Sequence, residues 1–311
     1  MENTYIVGNN LEIMNKLVED GLQFQLVYLD PPYNTGRNFD DFDDKFKDSK
    51  TYAYEFMKPK FELIKKLLKN DGVIVVHIEA KISHYIRLVL DEVFGEKNFQ
   101  NEIIWKSGGN KKSSKKLMRF HDNIIVYSKS SKFKYIPQYK PYDEEYRKSN
   151  NIKKDFRGEY TTSAAHNSQP NVVKRPNLRY EWNGHYKQWW WSIEKMKKLH
   201  EEDRLCYNEK GIPRVKKYIT EMNGIPIRDL WTDINQIQGV EKLDYATQKP
   251  VELLERIVNM YTNENDFVLD PFAGSGTTAR ACLNLNRKYI MIDINPKGLE
   301  IFQNSISKIV N

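Results

Sequence analysis

The sequence predicts an α/β protein in which helices cover a sheet assembled from both ends of the chain. Apolar segments of strand type alternate with segments of helical period over the first 95 residues and again after about residue 250. Between them the chain is rich in Tyr, Trp, Asn, Lys and Pro, and it keeps a long helical period only around 192–204. We therefore expect two halves of one domain, 1–130 and 241–311, with an inserted region of irregular fold at 131–240.

The composition is that of a globular chain. Hydrophobic residues make up 40% and charged residues 29% of the 311 residues, which argues against a wholly disordered protein. No apolar run approaches the roughly 18–20 residues that a membrane span needs, and Met1 to Thr4 lack the features of a secretion signal. The two cysteines, Cys206 and Cys282, lie far apart in the sequence, which argues against a disulfide scaffold and against a cysteine-based zinc site. We expect a cytoplasmic protein without a membrane partner.

The order of the elements follows from apolar periodicity and from turn residues. Two prolines after Leu29 cannot continue a central strand, so the chain is expected to leave the sheet at Asp30. Asn70-Asp71-Gly72 is expected to stop one helix and Gly95 another. The two strands at 102–105 and 123–127 are expected to pair antiparallel. The predicted strands are 5–7, 26–29, 73–76, 102–105, 123–127, 267–269 and 289–292, and the predicted helices begin near Leu11 and cover 51–69, 82–94, 251–261, 279–285 and 296–310.

The positive charge is concentrated in one segment. The net charge is +7, and residues 106–134 carry nine basic residues and one acid, Asp122. Such a block suits a polyanion, with nucleic acid as the first candidate, although a solvated lysine-rich loop would look the same. Trp189 to Trp191 could stack on bases or form local core, and the core alternative is favoured. The candidate DNA contacts are Lys106, Lys111, Lys112, Lys115 and Lys116, together with Arg175 and Arg179 in the insertion.

A glycine-containing loop joins a strand to a helix near the C-terminus. It runs from Asp270 to Thr278 with glycines at 274 and 276, and it has the form of a nucleotide-binding turn in which the backbone approaches a ligand closely. It lacks the lysine of a P-loop and the third glycine of a dinucleotide fingerprint, so a tight structural turn remains an alternative. The next strand ends at Asp293, 23 residues past Asp270, where an acid can hold ribose hydroxyls.

The motif Asp30-Pro31-Pro32-Tyr33 is more specific. It follows a buried strand, and ligands of open α/β sheets bind at the carboxyl ends of strands. An amino group conjugated to a base is a poor nucleophile because its lone pair is delocalised. The Asp30 carboxylate and the Pro31 carbonyl can accept its two hydrogens, which favours a pyramidal nitrogen, and Tyr33 can stack on an extruded base. A turn capped by Asp30 is the structural alternative.

Taken together, Asp30-Pro31-Pro32-Tyr33 and the loop at 272–276 resemble the motifs of S-adenosylmethionine-dependent DNA amino-methyltransferases. The tetrapeptide precedes the loop by about 240 residues, with a variable region between them. This order is similar to the β class, which includes type III modification subunits and stand-alone adenine methylases. The resemblance implies a Rossmann-like seven-stranded methyltransferase sheet, circularly permuted, with an inserted target-recognition region.

Two shorter segments add to the resemblance, which covers roughly residues 5–127 and 190–300. Trp231 to Ile234 and Thr247 to Pro250 are similar to the family, and Lys249 and Pro250 are expected to open a helix that walls the methionine end of the cofactor. Asn9 stands where the family commonly has an acid that contacts the cofactor adenine, and its side-chain oxygen can also accept a hydrogen bond. The other cofactor-binding residues implied are Asp270, Phe272, Ala273, Gly274, Ser275, Gly276, Thr277, Thr278 and Asp293.

The resemblance implies a site-specific transfer of a methyl group from S-adenosylmethionine to N6 of a flipped adenine in double-stranded DNA. Asp30 is the expected main acceptor and the route for the departing proton. Methylation of cytosine N4 and an inactive DNA-binding subunit remain alternatives. No metal is expected, because the sulfonium activates the methyl group and the histidines lack metal-ligand spacing. A homodimer, a separate restriction endonuclease and a bacterial or phage origin, with action on nucleoid DNA, are further expectations.

Overall fold

The structure, a computed structural model, describes residues 2–33, 38–39, 42–43, 46–108, 117–167, 175–237, 242–243, 245 and 247–310. The chain divides into two compact units, residues 1–138 with 228–311, and residues 139–227. The domain boundaries at 130/131 and 240/241 remain predictions from the sequence. None of the helices formed by the described residues is long and apolar enough to cross a bilayer.

The first unit contains the predicted sheet. The strands are β1 Thr4–Val7, β2 Phe24–Leu29, β3 Asn38–Phe39, β4 Phe42–Asp43, β5 Leu68–Glu79, β6 Phe99–Trp105 and β7 Asp122–Ser128, then, after the second unit's β8–β15, β16 Leu230–Trp231, β17 Phe267–Asp270 and β18 Lys288–Asp293. The helices are α1 Asn10–Glu19, α2 Ser49–Thr51, a π-helical turn Tyr52–Met57, α3 Lys58–Leu67, α4 Ala80–Phe94, a 3₁₀ turn Glu96–Asn98, α7 Val251–Tyr261, α8 Thr277–Asn284 and α9 Pro296–Val310.

The strand order is β1-β18-β17-β2-β5-β7-β6-β16 among the described residues. β1, β18, β17, β2 and β5 run parallel, β7 is antiparallel to both β5 and β6, and the short β16 lies parallel to β6 at the edge. The seven expected strands and the antiparallel pair are therefore confirmed, with β16 as an eighth strand. β2 is buried at every position, as expected for a central parallel strand covered on both faces.

The pairing of β17 with β2 joins the two ends of the chain. Val268 lies opposite Leu26 and Leu269 opposite Val27, in parallel register. β1 likewise pairs with β18, so strands from the N-terminal segment flank both sides of the C-terminal pair. A single sheet is thus built from both halves, which confirms the permuted fold predicted from the motif order.

The expected helix at 51–69 is wrong at its C-terminal end. α3 ends at Leu67, and Leu68 is already extended with φ −75° and ψ 141°. Asn70-Asp71-Gly72 was expected to stop the helix but lies within β5, where the register with β2 shifts between Phe24 and Leu26. Neighbouring segments satisfy this backbone: the Asp71 carbonyl accepts from Gln25, and the Gly72 carbonyl from the Lys129 amide. The turn-forming residues 70–72 therefore belong to the irregular first part of β5, because tertiary hydrogen bonds satisfy their backbone there.

The second unit is more regular than the sequence suggested. Its strands are β8 Tyr139–Lys140, β9 Lys153–Asp155, β10 Gly158–Ala164, β11 Arg179–Trp182, β12 His185–Gln188, β13 Leu205–Tyr207, β14 Pro213–Tyr218 and β15 Ile225–Pro226, and its helices are α5 Glu144–Ser149, α6 Ile193–Glu201 and two 3₁₀ turns, Pro176–Leu178 and Ile219–Glu221. The expected irregular fold is wrong: β13, β14, β10 and β9 form an antiparallel sheet, which short strands with weak alternation conceal in the sequence.

The tryptophan run divides between core and surface. Trp189 is fully buried in a cluster with Ala165, Met196 and Leu199, which confirms the core alternative for this residue. Trp190 is 48% exposed. Neighbouring members of the run therefore have different environments.

Two glycines provide a matched test of packing in the first unit. Gly21 and Gly276 have almost the same backbone conformation, φ +71° and +74°, but a Cβ at Gly21 would meet nothing within 4 Å, whereas one at Gly276 would lie 2.4 Å from the buried Phe302 ring. We expect Gly21→Ala to lower the free energy of unfolding by about 1–2 kcal/mol, the left-handed penalty. Gly276→Ala should lower it by a further 1–3 kcal/mol, roughly the cost of overpacking. Urea unfolding measures both, and equal losses would contradict the packing argument.

Candidate active site

The two sequence motifs meet in one cavity of 580 Å³ at the carboxyl ends of β2, β17 and β18. Pro250 and Gly276, which were predicted to bind the cofactor, are not part of its wall: Pro250 caps α7 and Gly276 caps α8. They precede the two helices that carry the lining residues Leu254, Thr277 and Thr278. The predicted residues that do line the cavity are Asn9, Asp30, Pro31, Pro32, Tyr33, Lys249, Asp270, Phe272, Ala273, Gly274, Ser275, Thr277, Thr278 and Asp293.

The Asp30 carboxylate is held on both oxygens. The Tyr33 hydroxyl donates to Oδ1 at 2.5 Å, and the Lys249 ammonium contacts Oδ2 at 2.5 Å. Both members of the ion pair are largely buried, with side chains 15% and 13% exposed, and the Lys249 ammonium also lies 5.3 Å from the centroid of the Tyr33 ring. Burial and the neighbouring Asp30 charge hold the pKa of Tyr33 well above its usual range, so Tyr33 remains a hydrogen-bond donor.

Buried polar side chains, connected by hydrogen bonds, pack against the Tyr33 ring of this motif. The His77 ring stacks on Tyr33, with centroids 6.4 Å apart and planes inclined at 29°. His77 Nδ1 hydrogen bonds the Tyr28 hydroxyl at 3.0 Å, and Nε2 lies 3.4 Å from the Asp122 carboxylate. Burial by itself would raise the pKa of Asp122, but the hydrogen bond from His77 and nearby positive charges, Lys249 included, lower it to about 2. The ring beneath Tyr33 is therefore fixed at both nitrogens.

Asp270 anchors the glycine loop. Its Oδ1 accepts from the Phe272 amide at 2.9 Å, and its Oδ2 accepts from the Thr278 hydroxyl at 2.6 Å, so the carboxyl ties the end of β17 to the first turn of α8. Burial, reinforced by the charges of Asp30 and Asp293, raises the pKa of Asp270 to about 7 in spite of these hydrogen bonds. The Asp270 carboxyl group thus holds the loop in its conformation, and its role toward the cofactor stays a prediction.

The loop backbone is fixed from both sides. The Gly274 amide donates to Asp293 Oδ2 at 2.7 Å, and the Gly274 carbonyl accepts from the Tyr5 hydroxyl at 2.6 Å. Gly274 has φ +50°, and a Cβ there would approach the Tyr245 ring to 3.0 Å. A side chain at this position would therefore close the space between the loop and Tyr245.

The side chains of Asn9 and Asp293 have partners that bear on their predicted roles. The Asn9 Oδ1 accepts from the Leu11 amide at 2.9 Å and the Glu12 amide at 3.4 Å, so the oxygen expected to contact adenine also caps α1. Asp293 Oδ1 accepts from the Asn295 amide at 2.9 Å. Both residues line the cavity, and both roles toward the cofactor stay predictions.

Several lining residues were missed by sequence reasoning. Tyr28, Phe56, Lys60, Tyr245 and Ile294 contribute to the wall. Tyr28 lies in the strand that directly precedes Asp30, so the sequence places it beside the motif. The other four residues belong to none of the motifs. The contact of Lys249 with Asp30 was missed as well, because the two residues lie 219 positions apart.

The predicted DNA contacts that the structure describes belong to two different units. Lys106 follows β6 in the first unit, and its ammonium lies 5.5 Å from the centroid of the Phe120 ring. Arg175 and Arg179 are exposed in the second unit. The predicted contacts Lys111, Lys112, Lys115 and Lys116 lie outside the described residues. These assignments remain predictions.

The combination of this sheet and this cavity defines a class of protein, and a family comparison identifies it. The model of the N6/N4 methyltransferase family, described as DNA methylase, matches residues 24–304. The chain belongs to this DNA methylase family, which confirms the identification made from the two motifs.

Three proteins with similar sequences or structures place the chain among DNA methyltransferases of known name. The type II methyltransferase M.EcaI of Enterobacter cloacae is 31% identical over 309 residues, 94% of this chain and 67% of M.EcaI. The type III StyLTI Mod subunit of Salmonella typhimurium is 27% identical, and the match covers 92% of this chain and half of that subunit. The M1.HpyAVI–SAM complex matches with a TM-score of 0.53 at 18% identity, over 97% of this chain and 98% of that one. The last likeness confirms the methyltransferase fold.

The raised pKa of Asp270 predicts a pH-dependent stability. Burial raises the pKa of Asp270 from 3.8 to about 7 in the folded protein. The folded state therefore holds its proton more tightly than the unfolded state, and the free energy of unfolding falls as the pH rises between these two values. We expect the unfolding free energy of wild type, relative to Asp270→Asn, to fall by roughly 2–3 kcal/mol between pH 5 and pH 8, at about 1.4 kcal/mol per pKa unit. Urea unfolding of both proteins across this range measures the difference. A constant difference would show that Asp270 titrates normally.

Proposed function

We propose that this DNA methylase transfers a methyl group from S-adenosylmethionine to N6 of adenine in double-stranded DNA. The observation that carries the proposal is the shared cavity: Asp30 and Pro31, at the end of β2, line the same space as the glycine loop that follows β17. A methyl donor on the loop and an amino group on the tetrapeptide would therefore be neighbours, which is the alignment that an in-line transfer needs.

The residues of the cavity fit S-adenosylmethionine. The left-handed turn at Gly274 leaves open the space that a Cβ would fill beside Tyr245, the Asp293 carboxylate lies at the end of β18, where acids commonly hold ribose, and apolar walls come from Phe56 and Phe272. When bound, the cofactor supplies an activated methyl group on a positively charged sulfur.

Asp30 is the acceptor for the amino group of the target base. Each carboxylate oxygen of Asp30 keeps a lone pair after its bond to Tyr33 or Lys249. Together with the Pro31 carbonyl it accepts the hydrogens of the amine and receives the proton that leaves after transfer. Tyr33, supported by His77, offers a ring on which the flipped base stacks.

Adenine is preferred over cytosine because an aspartate begins the tetrapeptide, a feature of the resemblance to β-class adenine methylases. Cytosine N4 remains the second candidate, since the matching family includes both chemistries and both amines need the same geometry. An inactive DNA-binding subunit is disfavoured by the intact contacts of Asp30 and the glycine loop. Action as a homodimer, a separate restriction endonuclease, and a cytoplasmic location on nucleoid DNA belong to the same proposal.

Removal of the Asp30 carboxylate should abolish methyl transfer while cofactor binding persists. Incubation with tritiated S-adenosylmethionine and unmethylated plasmid should label the DNA with wild type, and Asp30→Ala should reduce incorporation by at least about 100-fold, the typical scale for loss of a positioned acid–base group. Calorimetric binding of the cofactor serves as the control for folding. Digestion of labelled DNA to nucleosides should yield N6-methyladenine. N4-methylcytosine would contradict the adenine assignment, and no label from wild type would favour the binding subunit.

The basic segment after Lys106 should contribute to DNA binding through phosphate contacts. Lys111→Ala combined with Lys112→Ala should reduce the slope of log affinity against log salt by about 1–2, since each phosphate contact contributes about 0.9. Lys81→Ala with Lys97→Ala, a pair of exposed lysines on and just after α4, is the matched control and should leave the slope unchanged. Equal effects of the two pairs would assign the change to net charge alone.

A further inference from the structure

Lys60 is a buried cation in the wall of the active-site cavity. It lies on α3, one turn after the π-helical turn Tyr52–Met57, and is only 3% exposed. Its ammonium donates to the Phe56 carbonyl at 2.8 Å and lies 3.4 Å from the centroid of the Phe56 ring. An ammonium has three N–H donors, so two remain after the Phe56 carbonyl is satisfied.

The described residues give Lys60 no acidic partner. Its contacts are a carbonyl and an aromatic ring, and burial alone lowers the pKa of Lys60 to about 8. Burying an ammonium without a carboxylate is costly, and a hydrophobic residue of similar size would fill the site at lower cost. The contacts of Lys60 within the folded chain therefore do not explain why a charged side chain occupies this buried position.

Lys60 is the basic residue of the described cavity wall that has no carboxylate partner. Two basic residues are among the described residues of the wall, Lys60 and Lys249. Lys249 is paired with Asp30 at 2.5 Å. The loop carboxylates have partners of their own, because Asp270 accepts from Phe272 and Thr278 and Asp293 accepts from Gly274.

We infer that Lys60 binds the carboxylate of the methionine moiety of S-adenosylmethionine. The inference rests on the proposed function and adds a residue to its cofactor site. The carboxylate is the one anionic group of this cofactor, and an ammonium with unused donors in a largely apolar wall provides a strong charge-assisted hydrogen bond. The contact with the Phe56 ring holds the ammonium in place before the cofactor arrives.

Calorimetric titration with S-adenosylmethionine and with decarboxylated S-adenosylmethionine tests the inference directly. The two probes differ by the carboxylate alone. Lys60→Met should weaken binding of S-adenosylmethionine by about 10-fold or more, the scale of a lost charge-assisted hydrogen bond, and should change binding of the decarboxylated form by less than about 2-fold. Lys60→Arg, which keeps the charge, should recover part of the loss. Lys66→Met, at an exposed position of the same helix, is the matched control and should bind both probes as wild type does.

The outcomes separate this inference from the proposed function. Equal weakening of both probes in Lys60→Met would show that the residue acts on the nucleoside or on the fold, and unchanged binding would show that it does not contact the cofactor; either result overturns the inference alone. If wild type binds neither probe, the proposed function fails and the inference fails with it. Thermal unfolding of each variant reports whether the cavity is intact.

Discussion

The parallel pairing of β17 with β2 is the constraint on which the site depends. Val268 and Leu269 lie opposite Leu26 and Val27, so the two strands end at the same edge of the sheet although more than 200 residues separate them in the chain. Asp270 and Asp30 follow directly. A slip of one residue in this register would move one motif along the edge and exchange the faces to which its side chains point. The buried, apolar faces of both strands fix the register.

The same pairing creates an electrostatic problem that the fold solves differently for each carboxyl group. Asp30, Asp270 and Asp293 gather at one edge, where burial and the charges of the other two carboxylates raise the pKa of Asp270. Asp30 forms an ion pair with Lys249, and Asp293 accepts hydrogen bonds from backbone amides. Asp270 is buried, and its pKa is raised to about 7. The result is one carboxylate held in an ion pair with Lys249 and one hydrogen-bonded within the glycine loop.

Much of the fold was predictable because its signals are local. Continuous apolar runs marked the central strands, and amphipathic periods marked α4 and α7, whose inward residues such as Leu253 and Ile257 are buried as expected. Local signals failed where tertiary contacts override propensity. Asn70 to Gly72 became strand because Gln25 and Lys129 bond its carbonyls, and the short strands of the second unit were hidden because their pairing is long-range.

The sequence by itself determined the chemistry of the two motifs, since Asp30-Pro31-Pro32-Tyr33 and the glycines at 274 and 276 are read from adjacent residues. Only the tertiary structure decided which distant side chains complete them. Lys249 meets Asp30, His77 supports Tyr33, and Lys60 enters the cavity wall, each across tens to hundreds of residues. The physical reason is that periodicity and turn chemistry act over a few residues, whereas charge pairing and stacking depend on distances that exist only once the sheet has formed.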